Sequence, residues 1–163
     1  MIFNKKEDLI KYLDITFKAC EKHKTIDTED LLYESNEYIN EYNKSNETKF
    51  TCDILEYIVD TIRDVLAYKG YYIRPFSELD WNLCSFGTAF FNYKDKEMWI
   101  TTMVGQGSLD FIGFNHKGLS DEFELWKKTN LLKKNLYPKL EDAIDEYYEE
   151  RMRKQDDQIS TSA

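Results

Sequence analysis

The stretch from Trp81 to Asn115 reads as sheet, while everything before and after it reads as helix. That contrast restricts the chain to an α+β arrangement in which one block of strands is flanked by helices. Within the stretch, residues 86–93 (Phe-Gly-Thr-Ala-Phe-Phe-Asn-Tyr) and 98–104 (Met-Trp-Ile-Thr-Thr-Met-Val) are rich in aromatic and β-branched side chains. Turn chemistry follows each run, at residues 94–97 (Lys-Asp-Lys-Glu) and 105–108 (Gly-Gln-Gly-Ser), so a meander is expected. Residues 109–114 supply a last strand, in which Gly113 is read as a bulge.

The alternation in these strands is incomplete. Phe86, Thr88 and Phe90 fall on one face and Ala89, Phe91 and Tyr93 on the other; in the next strand Met98, Ile100 and Val104 oppose Trp99 and Met103. A sheet with one face in water places a polar residue at every second position. Neither face does so here, which leaves two alternatives: helices cover both sides, or one face receives a partner or ligand.

The flanking segments carry helical spacing. Asn4 and Glu7 have the form of a capping box ahead of Leu9, Leu13, Phe17 and Cys20, predicting a helix from Lys5 to Glu21. Residues 22–25 read as a connector. A second helix starts at Asp27 or Thr28 with Leu31, Leu32, Tyr38, Ile39 and Tyr42 on its apolar face. The third is the most regular, since Ile54, Leu55, Ile58, Val59, Ile62, Val65 and Leu66 keep the i, i+3, i+4 rule. Opposite them, Glu56, Asp60, Arg63 and Asp64 read as a solvated face, and Gly70 as the left-handed stop. Residues 71–74 read as a strand that Pro75 terminates or marks as an edge. Beyond the sheet, Ser120 caps a helix carrying Phe123 and Trp126, and Pro138 at N1 opens a final one with Leu140, Ala143, Ile144, Tyr147 and Tyr148 on its inner side. The expectation is therefore three helices, an antiparallel sheet of about four strands and two helices, in one domain over residues 1–154, followed by a disordered tail over 155–163.

A chain of 163 residues, 42% of them hydrophobic, can bury about 70% of its unfolded surface around one core. Cys20, Cys52 and Cys84 are odd in number and far apart, which reads as reduced, buried thiols in a cytoplasmic protein. Neither a signal-peptide pattern at the N-terminus nor an apolar run of membrane-spanning length is expected from the residue order. Abundant Lys, Asn, Ile, Tyr and Phe suggest AT-rich coding, as in a bacterium or its phage. The net charge of −9 disfavours direct contact with nucleic acid or anionic lipid, and acids outnumber bases in each third of the chain.

Residue types that carry chemistry are sparse. His23 and His116 each lack a second ligand at helical spacing, so no metal is expected, and His116 alone has the position of a possible base at a strand end. Cys84-Ser85 lacks the small neighbours of a nucleophile elbow, and Gly105-Gln-Gly107 lacks the Lys-Ser or Lys-Thr of a phosphate loop. Lys127, Lys128, Lys133 and Lys134 beside Trp126 read as helix-end complements in so acidic a chain. The conspicuous pattern is in the final helix: Glu141, Asp145 and Glu149 form one i+4 row, and Asp142, Glu146 and Glu150 the adjacent one. Like charges at this spacing repel, and a helix selected only for stability would interleave lysines.

The leading expectation is a small acidic protein without catalysis or cofactor that occupies, and inhibits, a basic macromolecular surface, in the manner of an antitoxin, immunity or phage counter-defence protein. Its contact residues would be Glu141, Asp142, Asp145, Glu146 and Glu149, joined by Tyr148, Tyr93 and Trp99 as aromatic anchors if those are exposed. That reading needs the acids to be free of the chain's own lysines and arginines. One alternative is a small-molecule or peptide module with Phe91, Tyr93, Trp99 and Met103 lining a pocket on the sheet; another is an enzyme using scattered carboxylates or His116.

Overall fold

The computed structural model describes residues 2–23, 25–33, 36–71, 74–75, 85–104, 108–114 and 138–162. Four helices precede the main strands: α1 (Lys6–His23), α2 (Thr28–Leu32), α3 (Glu37–Asn46) and α4 (Cys52–Tyr68). The strands are β1 (Thr25–Asp27), β2 (Arg74–Pro75), β3 (Ser85–Tyr93), β4 (Lys96–Val104) and β5 (Ser108–Phe114), and α5 (Leu140–Ser162) closes the described chain. The fold is α+β. The helix expected from Ser120, together with His116, Cys84, Gly105 to Gly107 and the lysines at 127–134, lies outside the described residues.

All sheet pairings are antiparallel, in the order β1-β5-β4-β3-β2. β3, β4 and β5 form the expected meander, and the two edges are closed by very short strands. Pro75 sits within β2 at the edge, where its missing N–H costs no ladder bond. β1 arises partly from what reads as a connector, because three residues are too few to show alternation; Ile26 is nevertheless fully buried. β5 pairs with β4 from Ser108 to Phe114 without interruption, so Gly113 marks no bulge. Its reason is steric: Trp99 is its register partner, and a Cβ at Gly113 would fall inside the Trp99 indole ring.

The described helices pack on one side of the sheet. Ile26, Ala89, Phe91, Tyr93, Met98, Ile100 and Ile112 meet Leu9, Leu13, Leu55, Ile58, Ile62 and Val65 in a single core. Cys20 lies within it, its thiol 3.6 Å from the Ile112 carbonyl and pushed up to about 12 by burial. This makes it unreactive. On the opposite side, Phe90 and Trp99 are register partners, 7% and 2% exposed, so the centre of that face is also closed to solvent.

α4 is central, as its stripe requires. Thr51 accepts the Ile54 N–H at its start, and at its end Gly70 (φ 83°) takes the left-handed position while its N–H and that of Tyr71 return to the carbonyls of Ala67 and Leu66. These are the two bonds of a Schellman stop. The helix expected between Thr28 and Tyr42 is divided in two. Asp27 caps α2 by accepting the Asp30 N–H, then Asn36 caps α3 by accepting the Ile39 N–H, and Leu32 and Tyr33 beside the break are exposed. A fresh cap offers the backbone donors a local partner, so a continuous helix has no advantage there.

Candidate functional site

α5 is fixed to the body at several points. Pro138 is not its first residue: Lys139 precedes Leu140 and accepts the Ala143 N–H, while the Pro138 carbonyl accepts the Asn92 N–H at 2.9 Å. The segment before the helix therefore extends the end of β3 by one parallel bridge, between Asn92 and Lys139. Leu140, Ala143, Ile144, Tyr147 and Tyr148 are buried, as their spacing indicates. Tyr148 Oη donates to the Phe3 carbonyl at 2.6 Å, and burial pushes its phenol up to about 12. Tyr147 Oη donates to Asp64 and accepts from Arg151 at 2.9 Å. The helix continues to Ser162 through the segment for which a disordered tail is expected, and residues 152–158 are exposed throughout.

This anchoring turns the acids outward. Asp142, Asp145, Glu146 and Glu149 are exposed and Glu141 and Glu150 half-buried. They are not, however, free of the chain's own cations. Asp145 pairs with Lys6, Glu146 with Lys69 and Glu150 with Arg153, and Glu141 accepts the Lys94 backbone N–H at 3.0 Å. The expectation of an unengaged double stripe is corrected accordingly. Spacing along one helix gives no information about Lys6 and Lys69, which arrive from α1 and the end of α4. Two of the three pairs are open to water, the Lys6 and Asp145 side chains being 43% and 52% exposed and the Lys69 and Glu146 side chains 36% and 50%, while in the third Arg153 is exposed and Glu150 half-buried. Exposed pairs of this kind are screened by water and salt and exchange readily.

Between the end of α4 and α5 lies an open hollow of about 290 Å³, lined by Tyr68, Glu146, Glu149, Glu150 and Arg153. Tyr68 is 46% exposed, with its ring edge-on to Tyr147. Sequence reasoning missed Tyr68 and Lys69; the one signal pointing to them was the helix stop at Gly70, which ends α4 there.

The aromatic anchors are corrected as well. Tyr93, Trp99 and Tyr148 are 1%, 2% and 5% exposed and belong to the interior. Tyr93 Oη donates to Asp14 at 2.6 Å, and burial together with that carboxylate raises its phenol. Nor do Phe91, Tyr93 and Trp99 line one pocket, and the Met103 side chain lies outside the description. The β3–β4 register pairs Phe91 with Met98 and Phe90 with Trp99, which puts Phe91 and Tyr93 on the helix side and Trp99 at a position of the other parity. His23 is exposed, edge-on to Tyr38. Among the described residues no group of three His, Cys, Asp or Glu is arranged to hold a metal ion, and no helix is long and apolar enough to cross a membrane.

No protein family, curated protein or solved structure matches this chain.

Proposed function

We propose that the protein binds, through the outer face of α5 and the adjoining hollow, a basic surface of another macromolecule, and inhibits that partner by covering it. The observation that carries this reading is charge on a rigid support. Of the six carboxylates between Glu141 and Glu150, three pair with Lys6, Lys69 and Arg153, which leaves Glu141, Asp142 and Glu149 outside any ion pair among the described residues on one anchored helix. A partner's guanidinium would find the Tyr68 ring and Glu149 in one hollow, beside the Glu150–Arg153 pair, a combination of cation–π and carboxylate contacts suited to arginine. The chain's own Lys6 and Lys69 would exchange with incoming cations at little cost, because those pairs are already solvated. A nucleic-acid enzyme is the kind of target such a face fits, since aligned carboxylates stand in for a row of phosphates at a basic groove.

The test compares the natural chain with Asp142→Lys/Glu149→Lys, two exposed positions whose reversal leaves the α5 anchors intact. Proteins captured from a bacterial lysate by the natural chain should be basic, be released as salt rises, and be lost by the variant. Capture that is equal for the two chains and indifferent to salt would remove the proposal.

A further inference from the structure

The helix side of the sheet carries a polar row at the margin of the apolar core, beneath α4. Asp110 of β5 is 6% exposed, and its carboxylate accepts a hydrogen bond from Oγ1 of Thr102, its register partner on β4, at 2.6 Å. From α4, Asp60 and Arg63 act on Asp110 electrostatically, and Asp110 in turn acts on Glu56 one turn earlier. Glu56, Asp60 and Arg63 are half-buried rather than forming the solvated face their spacing suggests. Arg63 and Asp60 stand 3.7 Å apart, beyond hydrogen-bond length, and Arg63 Nε is buried without a hydrogen-bond partner among the described residues. Asp60 and Asp110 thus both draw on the Arg63 guanidinium.

A second orphan lies at the start of α2, an element that also packs on β5. The β1–β5 register ends at Asp27 and Phe111, and Thr28 follows as the first residue of α2; its Oγ1 is buried and has no hydrogen-bond partner among the described residues. Of the other elements packed on β5, β1 places Asp27 at a position of the opposite parity, and α1 brings the neutral Cys20 thiol to Ile112. No cation other than Arg63 acts on Asp110 among the described groups.

We propose that Asp110 is a proton-operated latch between the sheet and the helices above it: proton uptake tightens the seating of α4 and α2 on β5, and proton release leaves a poorly compensated buried charge that loosens them. The motive is geometric, because a carboxylate this deep needs either full pairing or neutrality, and the pairing here is incomplete.

The direction of the pH effect follows. Burial is the main cause raising the Asp110 carboxyl, and Asp60 adds to it, against the Thr102 bond and Arg63. A raised folded value means that this stabilisation is fully present below the unfolded carboxyl range, about 3.9, and is lost as pH rises through the folded value. Glu56 is shifted the same way by burial and by Asp110.

The experiment is thermal unfolding of the full chain and of Asp110→Asn between about pH 4 and 8, with amide exchange of α4 corrected for its intrinsic pH dependence. Asparagine keeps an acceptor for Thr102 and carries no charge. The variant should melt above the natural chain at the alkaline end, with the gap closing on acidification, and exchange protection in α4 should rise in acid only in the natural chain. A gap independent of pH overturns the latch. If the variant does not fold, carboxyl NMR titration of the natural chain decides instead, and a midpoint for Asp110 at or below the ordinary aspartate value overturns it.

Discussion

Replacing Gly113 with alanine tests the packing at the centre of the sheet. Gly113 and Trp99 are register partners on β5 and β4, and the indole, 2% exposed, lies where the new methyl would go. Alanine in a strand would by itself be favoured over glycine by about 0.5–1 kcal/mol, through backbone entropy. Against this, forcing a methyl into a filled interior costs about 1–3 kcal/mol. The upper part of that range applies, because the obstruction is a rigid ring with no solvent side to move toward. The net expectation is a loss of about 2 kcal/mol, equivalent to roughly 4–8 °C in Tm for a chain of this size. Trp99→Phe supplies the control, since it removes the ring atoms that meet the methyl and also removes the indole N–H, which is buried without an acceptor among the described residues. In that background Gly113→Ala should cost less than about 0.5 kcal/mol, giving a coupling of about 1.5–2 kcal/mol in the double-mutant cycle. Urea unfolding followed by far-ultraviolet circular dichroism measures all four chains without relying on tryptophan emission. Additive effects, or a harmless Gly113→Ala in the natural background, would refute the reasoning.

Two further outcomes are expected. The β3–β4 turn holds Lys94 (φ 50°) and Asp95 (φ 61°) in the left-handed region; Lys94 is retained by Asp14 at 2.8 Å and by the Phe17 and Tyr93 rings, whereas Asp95 is exposed, so Asp95→Gly should raise stability by about 0.5–1 kcal/mol in urea unfolding and Lys94→Gly should not. Tyr148→Phe deletes the bond to the Phe3 carbonyl and leaves that acceptor buried, which should lower stability by about 1–2 kcal/mol, with loss of exchange protection concentrated where α5 meets the N-terminus.

Much of the architecture was legible because its signals are local. The seven-residue stripe of α4 and its stop at Gly70 follow from helical period and from the left-handed freedom of glycine, and the inner face of α5 follows from the same period. The meander followed from paired runs of β-branched and aromatic residues separated by turn chemistry. What remained hidden concerns residues that meet only in space. β1 is held by β5 and by the burial of one isoleucine, and its three residues cannot show a period of two.

The candidate site divides along the same line. The order of residues alone determined that six carboxylates would share the outer side of one helix, because their spacing and the apolar stripe opposite them leave no other orientation. Only the tertiary structure decided which cations reach them, that Tyr68 closes a hollow beside them, and that Tyr93, Trp99 and Tyr148 are interior. The physical reason is that helical period and charge act over a few neighbouring residues. Burial and ion pairing depend on distances between elements far apart in the chain, set by how the helices seat on the sheet.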